Sequence, residues 1–148
     1  MKRQAKAWLD SARDDLGVVE EIINRDDLTH MVAFHSQQAI EKSFKAVLEE
    51  YEQTVPRIHD LITLRTQTEK YIKLEIESDL LNQLNELYTD ARYPTDFGLL
   101  PGGKPPRELS QKMYHLARKI CETIEQSMVS EDTQTSLLDD NDYFVDSL

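Results

Sequence analysis

The chain has 148 residues, of which 39% are hydrophobic and 30% charged, and its formal net charge is −11. This length and composition are typical of one soluble globular domain. The acidic balance excludes a protein that coats DNA or RNA through a broad basic surface, because neutralising many phosphates requires lysine and arginine.

The first predicted helix runs from about Arg3 to Asn24. Its apolar residues recur at steps of three and four and form one stripe: Ala5, Trp8, Ala12, Leu16, Val19 and Ile23. This spacing is typical of a helix that buries one face. A polar turn, NRDDLTH, follows it.

The second predicted helix, from about Thr29 to Tyr51, carries two apolar stripes. One stripe consists of Val32, Ala39, Ala46 and Val47, and the other of Phe34, Phe44, Leu48 and Tyr51. A surface helix needs only one stripe. The second stripe therefore indicates either a central helix or a helix that also forms a subunit interface, and the sequence leaves both interpretations open.

Three further helices are predicted after Pro56, from about Ile58 to Tyr71, from Ser78 to Pro94, and from Pro105 to about Met128. Three of the four glycines and four of the five prolines fall between Pro94 and Pro106, which predicts a loop there. No pattern favours strands. We therefore predict an all-α, up-and-down antiparallel bundle of four to five helices.

The C-terminal residues differ in composition from the rest of the chain. They include six acidic residues and no basic one: Glu131, Asp132, Asp139, Asp140, Asp142 and Asp146. We divide the chain into a helical bundle at 1–128 and an acidic tail at 129–148, which we expect to be disordered.

The sequence contains neither a signal peptide nor an apolar run of membrane-spanning length. We therefore expect a cytoplasmic protein that engages no membrane and no DNA. The single cysteine, Cys121, lies on the apolar stripe of the last helix and is predicted to belong to the core. The histidines lack the spacing of a zinc site, so no metal and no cofactor are expected.

Three short motifs, together with AKAWLDSARDDL in the first helix, resemble the HEPN domain family over roughly residues 4–128. The motifs, in chain order, are FHSQQ at 34–38 with Glu41, Lys42 and Lys45 after it, Pro56 with HDL at 59–61, and ARYP at 91–94. The resemblance implies a small helical bundle, commonly a homodimer. It also implies a place beside a minimal nucleotidyltransferase, in a toxin–antitoxin-like module.

Some members of that family cut RNA with an arginine followed, after four to six residues, by a histidine near the end of the fourth helix. Arg92 lies in the matching place. The histidine should then fall at 97–99, where the chain has Phe97, Gly98 and Leu99. Phenylalanine cannot exchange a proton. We therefore expect no catalytic residue at this motif and no RNA cleavage by it.

Anion binding is the function that these residues favour instead. The planar guanidinium of Arg92 suits a phosphate, and Tyr93 can stack on a base or donate its hydroxyl. The expected ligand-binding residues are Arg92, Tyr93, Lys42, Lys45, Lys104 and Arg107. The alternative is that these cations form ion pairs within the chain. We expect His35, Gln38 and His59 to make structural hydrogen bonds.

Three functional hypotheses follow. The first is a non-catalytic HEPN-like protein that binds a nucleotide or RNA phosphate, partners a minimal nucleotidyltransferase, or does both. The second is a HEPN ribonuclease toxin with a rearranged site, using His115 or His35. The third is a purely structural dimeric interaction module.

Overall fold

A computed structural model describes the backbone of residues 1–89 and 103–146, and the side chains of 1–87 and 103–133. The helices are α1 (Arg3–Ile22), α2 (Thr29–Tyr51), α3 (Leu61–Thr68), α4 (Ser78–Thr89) and α5 (Arg107–Asp146), with a short 3₁₀ turn at Asp26–Leu28. The predicted all-α bundle is confirmed.

Helix α1 runs antiparallel to both α2 and α5. Near its start, Trp8 Nε1 donates to Glu49 Oε2 at the end of α2 over 3.2 Å. On its other side, Tyr114 Oη donates to Glu20 at 2.9 Å and Arg13 Nε donates to Glu125 at 2.8 Å. The start of α5 therefore lies beside the end of α1.

Helix α2 is the central helix, because it packs against each of the other four. The first of its predicted stripes, Val32 to Val47, is fully buried, and so are Phe44 and Leu48 of the second. Both stripes are thus largely used inside a single chain. Of the two interpretations, the central helix accounts for them without a subunit interface.

Helices α3 and α4 form an antiparallel pair at the side of the bundle. Arg65 Nη1 of α3 donates to the Ser78 hydroxyl at the start of α4 over 2.9 Å. Helix α3 begins three residues later than the Ile58 that we predicted. The reason is local: the Asp60 side chain accepts from the Ile62 amide at 3.1 Å and caps the helix there.

Helix α5 begins at Arg107, two residues after the Pro105 that we predicted as its start. Pro106 precedes the helix, and its carbonyl accepts from the Ser110 amide at 3.0 Å. The helix continues to Asp146, whereas we expected it to end near Met128. No glycine or proline interrupts 107–146, so nothing in this segment forces a break. The Cys121 side chain is fully buried, as predicted for a core cysteine.

Candidate functional site

The polar side chains of α2 lie inside the bundle rather than on its surface. Because α2 is central, six of its polar residues are buried: Thr29, Ser36, Gln37, Glu41, Ser43 and Lys45. A buried polar group is costly unless it is hydrogen-bonded. Glu41 itself contacts two of them, Gln37 and Lys45. A second carboxylate, Asp15 on α1, contacts two partly buried residues of α2, His35 and Lys42.

Asp15 connects α1 to two residues of α2. Its Oδ2 lies 2.7 Å from Lys42 Nζ, and its Oδ1 lies 2.9 Å from His35 Nδ1. All three side chains are at least three-quarters buried. Lys42, a predicted anion ligand, is therefore neutralised inside the chain, and His35 is part of a structural hydrogen-bond network.

Glu41 is the centre of the second network. Its Oε1 lies 3.0 Å from His59 Nδ1 and 3.4 Å from Gln37 Nε2, and its Oε2 lies 3.3 Å from Lys45 Nζ. Gln38 Nε2 extends the network by donating to Gln37 Oε1 at 2.8 Å. The carboxylate is only 5% exposed.

His59 combines a buried contact with an exposed ring. Its side chain is 74% exposed, although its Nδ1 reaches the buried carboxylate of Glu41. A carboxylate only accepts hydrogen bonds, so Nδ1 carries the hydrogen. In the neutral imidazole, Nε2 then holds the free lone pair, on the exposed part of the ring.

His59 and Lys45 line a cleft of about 320 Å³, whose other lining residues are Trp8, Val55, Pro56 and Arg57. Lys45 Nζ lies 5.6 Å from the centroid of the Trp8 ring. Arg57 is exposed and has no carboxylate partner among the described residues. The cleft thus combines an aromatic ring, an uncommitted arginine and an oriented histidine.

Asn85 ties α4 to the loop that carries His59. Its Oδ1 accepts from the Leu61 amide at 2.9 Å, and its Nδ2 donates to Asp60 Oδ1 at 2.8 Å. Hydrogen bonds donated by Thr63 first, and also by Asn85, lower the pKa of Asp60. Helix α4 therefore passes directly beside Asp60, the neighbour of His59, one turn before it ends at Thr89.

The two residues at the centre of the predicted anion site, Arg92 and Tyr93, lie outside the described residues. They follow the end of α4, three and four residues after Thr89.

Lys104 and Arg107 lie at a different place. Lys104 Nζ donates to the Asp27 carbonyl at 2.6 Å, and Arg107 Nη2 donates to Asn24 Oδ1 at 3.1 Å. Asn24 lies just past the end of α1, and the fourteen helical steps from Trp8 to Ile22 alone span about 21 Å. The structure does not bring Lys104 and Arg107 together with Lys45.

His115 belongs to a separate cleft of about 350 Å³, beside Lys112, Lys119 and two glutamates of the turn before α4. Within the described side chains, no group of three or more His, Cys, Asp or Glu residues could hold a metal ion. None of the described helices is long and apolar enough to cross a membrane.

Sequence reasoning missed Trp8, Glu41, Arg57 and Asn85 as parts of one site. Glu41 follows the FHSQQ motif at 34–38. Its position one helical turn after Gln37 could have identified it as a hydrogen-bond partner of that residue. Arg57 could have been recognised as a possible phosphate ligand, because it is a cation two residues before His59. Nothing in the sequence pointed to Asn85, because only the packing of α4 on α3 brings it to Asp60.

The comparisons with known proteins agree with this architecture. The family model of the HEPN domain matches residues 5–127. The crystal structure of TT1696 from Thermus thermophilus superposes with a TM-score of 0.67 at 23% identity, covering 84% of this chain and 98% of that one. No curated protein matches the sequence. The structural likeness establishes the fold, and the family model covers most of the chain, so the protein belongs to the HEPN domain family.

Proposed function

We propose that this HEPN protein binds a nucleotide or an RNA phosphate where α4 ends, beside the Glu41–His59 pair. The single observation that carries the proposal is the double hydrogen bond of Asn85 to Asp60 and to the Leu61 amide. These bonds hold the C-terminal part of α4 against the loop between α2 and α3, which lines the cleft. The chain that leaves α4 at Thr89 therefore starts beside that loop.

Arginine is the residue type that best recognises phosphate, because its planar guanidinium donates two parallel hydrogen bonds. Arg57 is exposed in the cleft and is not committed to a carboxylate among the described residues. Arg92 follows three residues after α4. We infer that these two arginines make the main phosphate contacts and that Tyr93 contacts the base or sugar.

The lysines have a different role in this proposal. Lys42 and Lys45 each contact a buried carboxylate, Asp15 and Glu41 respectively. An amine held in this way has little charge left for a ligand. Lys45 therefore lines the cleft without being a main ligand. Lys104 and Arg107 contact the turn after α1.

Isothermal titration calorimetry with ATP, GTP and a short single-stranded RNA tests the binding site. Losing a charge-assisted contact costs about 1.5–3 kcal/mol, so Arg57→Ala and Arg92→Ala should each weaken binding about tenfold or more. Lys73→Ala removes an exposed cation outside the cleft and is the matched control. No binding of any ligand at millimolar concentration would exclude the site.

We also propose that the protein is a homodimer and the partner subunit of a minimal nucleotidyltransferase. Membership of the HEPN family supports both proposals. The subunit interface would lie outside the two stripes of α2, because these are largely buried inside the chain. Co-expression with a nucleotidyltransferase encoded beside it, followed by native mass spectrometry, tests both points. A monomer that does not co-purify with the transferase would contradict them, whatever the outcome of the calorimetry.

A further inference from the structure

The cleft between α5 and the segment that precedes α4 lies apart from the proposed nucleotide site. Its volume is about 350 Å³. One wall is formed by Lys112, His115 and Lys119 of α5, which share a face of the helix because they follow one another at steps of three and four residues. Glu75 and Glu77 form the other wall. We call this cleft the α5 groove.

The charges of the two walls do not neutralise each other. Within the described side chains, neither Glu75 nor Glu77 has a cation within 4.0 Å, and Lys119 has no carboxylate within that distance. Lys112 makes only a 3.7 Å contact with Glu108 of its own helix, and both of these side chains are more than 60% exposed. The charges on both walls are therefore available to a molecule that binds between them.

The segment 73–77 has the burial pattern of a β-strand, although it belongs to no regular element. It lies between α3 and α4. Leu74 is 7% exposed and Ile76 packs against the core, whereas Lys73, Glu75 and Glu77 are exposed. A period of two is typical of a strand that rests one face on a core.

The backbone of this segment makes no hydrogen bond within the described part of the chain. The last bond before it is donated by the Ile72 amide to the Thr68 carbonyl at 3.1 Å. The next is donated by the Leu81 amide to the Glu77 carbonyl, also at 3.1 Å. The amides and carbonyls in between are strong donors and acceptors, and such an unpaired row can pair with an added strand.

We propose that the α5 groove binds an extended peptide segment of a partner protein, and that this peptide carries both acidic and basic side chains. The peptide backbone pairs with residues 73–77 as an added strand. Its carboxylates contact Lys112 and Lys119, and its basic side chains contact Glu75 and Glu77. The inference concerns a different cleft from the proposed nucleotide site and does not rest on it.

The unpaired backbone selects this kind of partner. A helix satisfies its own backbone groups and would leave those of 73–77 without partners. A nucleic acid would meet the repulsion of the two glutamates on one wall. Five extended residues span about 17 Å, whereas Lys112 and Lys119 are about 10 Å apart along α5. One short peptide can therefore reach both lysines while it pairs with the segment.

Little apolar surface is exposed in the α5 groove. Leu80 and Leu116 line it, but each is only 8% exposed. Main-chain hydrogen bonds and charged contacts must therefore supply most of the affinity. Contacts between exposed charges are screened by salt, so peptide binding should weaken as the ionic strength rises.

The test begins with a selection from random linear peptides displayed on phage, with the full chain immobilised. Selected peptides are synthesised with a fluorescent label, and their binding to the chain is measured by anisotropy. The expected peptides carry residues of both signs and bind more weakly in high salt. The absence of any peptide that binds in solution at millimolar concentration overturns the inference.

Charge reversal locates the binding site. Lys119→Glu and Glu75→Lys should each weaken binding about fivefold or more, because an attractive contact becomes a repulsive one. Replacing the acidic residue of the peptide by lysine should restore its binding to Lys119→Glu. Lys70→Glu alters the net charge equally at an exposed position outside the groove and should bind like wild type. Equal binding by wild type, Lys119→Glu and Glu75→Lys overturns the assignment of the site.

N-methylation of the peptide tests the strand pairing. Successive amides of a strand point to opposite sides, so only every second amide faces the segment 73–77. Methylation at those positions should abolish binding, whereas methylation at the positions between them should leave it nearly unchanged. Sensitivity without this period of two overturns the pairing. Circular dichroism checks that each protein variant is folded.

The outcome is separable from that of the nucleotide titrations. Arg57→Ala should bind the peptide like wild type, and Lys119→Glu should bind nucleotide or RNA like wild type. A chain that binds nucleotide and no peptide disproves the α5 groove alone. A chain that binds peptide and no nucleotide supports the α5 groove and disproves the other site.

Discussion

Asp15 Oδ2 lies 2.7 Å from Lys42 Nζ, across the interface between α1 and α2, and both side chains are mostly buried. Removing one member of such a pair leaves the other charge without compensation. We expect Asp15→Ala to lower the free energy of unfolding by about 2–4 kcal/mol, below the upper limit for fully buried pairs because Lys42 is 22% exposed. Urea unfolding followed by circular dichroism measures this value.

Asp10 is the matched control on the same helix. It pairs with Lys6 at 3.0 Å, and both side chains are more than 60% exposed. Exposed pairs of this kind contribute little, so Asp10→Ala should change stability by about 0.5 kcal/mol or less. Equal effects of the two substitutions would show that burial of the Asp15 pair is unimportant.

Two glycines should respond to alanine in opposite directions. An added Cβ meets nothing within 4 Å at Gly17 of α1 or at Gly103, but Gly103 has φ +114°. Gly17→Ala should therefore stabilise α1 by about 0.5–1 kcal/mol, since alanine is the better helix former. Gly103→Ala should destabilise by about 1–3 kcal/mol through backbone strain. Thermal unfolding distinguishes the signs, and two shifts in the same direction would refute the prediction.

The pKa of Asp60 should rise when its strongest hydrogen-bond donor is removed. The Thr63 hydroxyl donates to Asp60 Oδ2 at 2.7 Å and is the largest cause of the lowered pKa. Thr63→Val should move the pKa back toward 3.8, as measured by carboxyl carbon NMR during titration. Thr66→Val is the control, because Thr66 donates to the Ile62 carbonyl instead.

The lowered pKa of Asp60 also determines how its contribution to the free energy of unfolding depends on pH. Because the pKa is lower in the folded chain, the ionised Asp60 stabilises the fold fully above pH 3.8, and this contribution is lost as the pH falls further. The stability difference between wild type and Thr63→Val should thus shrink on acidification below that value. A difference that grew toward low pH would contradict the hydrogen bond as its cause.

Cys121 should be almost unreactive in the native protein. Its side chain is fully buried, and burial raises the pKa of its thiol, so little thiolate forms. Labelling with a disulfide reagent should be slow in buffer and rapid in denaturant, with one thiol titrated per chain. Fast native labelling would show that the interface of α5 with the rest of the core opens readily.

The sequence predicted the helices well where periodic apolar residues and breakers coincide. Helix α2 has the predicted bounds, Thr29–Tyr51, and its two stripes followed from spacing alone. Helix α5 runs further than predicted because an acidic composition does not end a helix, and no glycine or proline interrupts 107–146. Helix α3 is shorter than predicted because the Asp60 cap decides its start, and Ile58 lies before it.

The site was less accessible to prediction because its partners are distant in sequence. The sequence indicated hydrogen-bonded roles for His35, Gln38 and His59, and each makes such a bond. The acceptors Asp15 and Glu41 lie 20 and 18 residues from the histidines that they bind. Helical spacing cannot reveal such pairs. Only the packing of α1 and of the loop onto α2 brings them together.

Because α2 is central, substitutions in this helix and substitutions in the loop after it should have different effects on folding. A substitution at Glu41 or Lys45 changes the cleft and the scaffold at once, because both residues are buried in the helix that contacts all the others. Arg57 and His59 project from an exposed loop. Natural variation at the exposed Arg57 can therefore change the surface of the cleft at little cost to folding, whereas α2 should tolerate few changes.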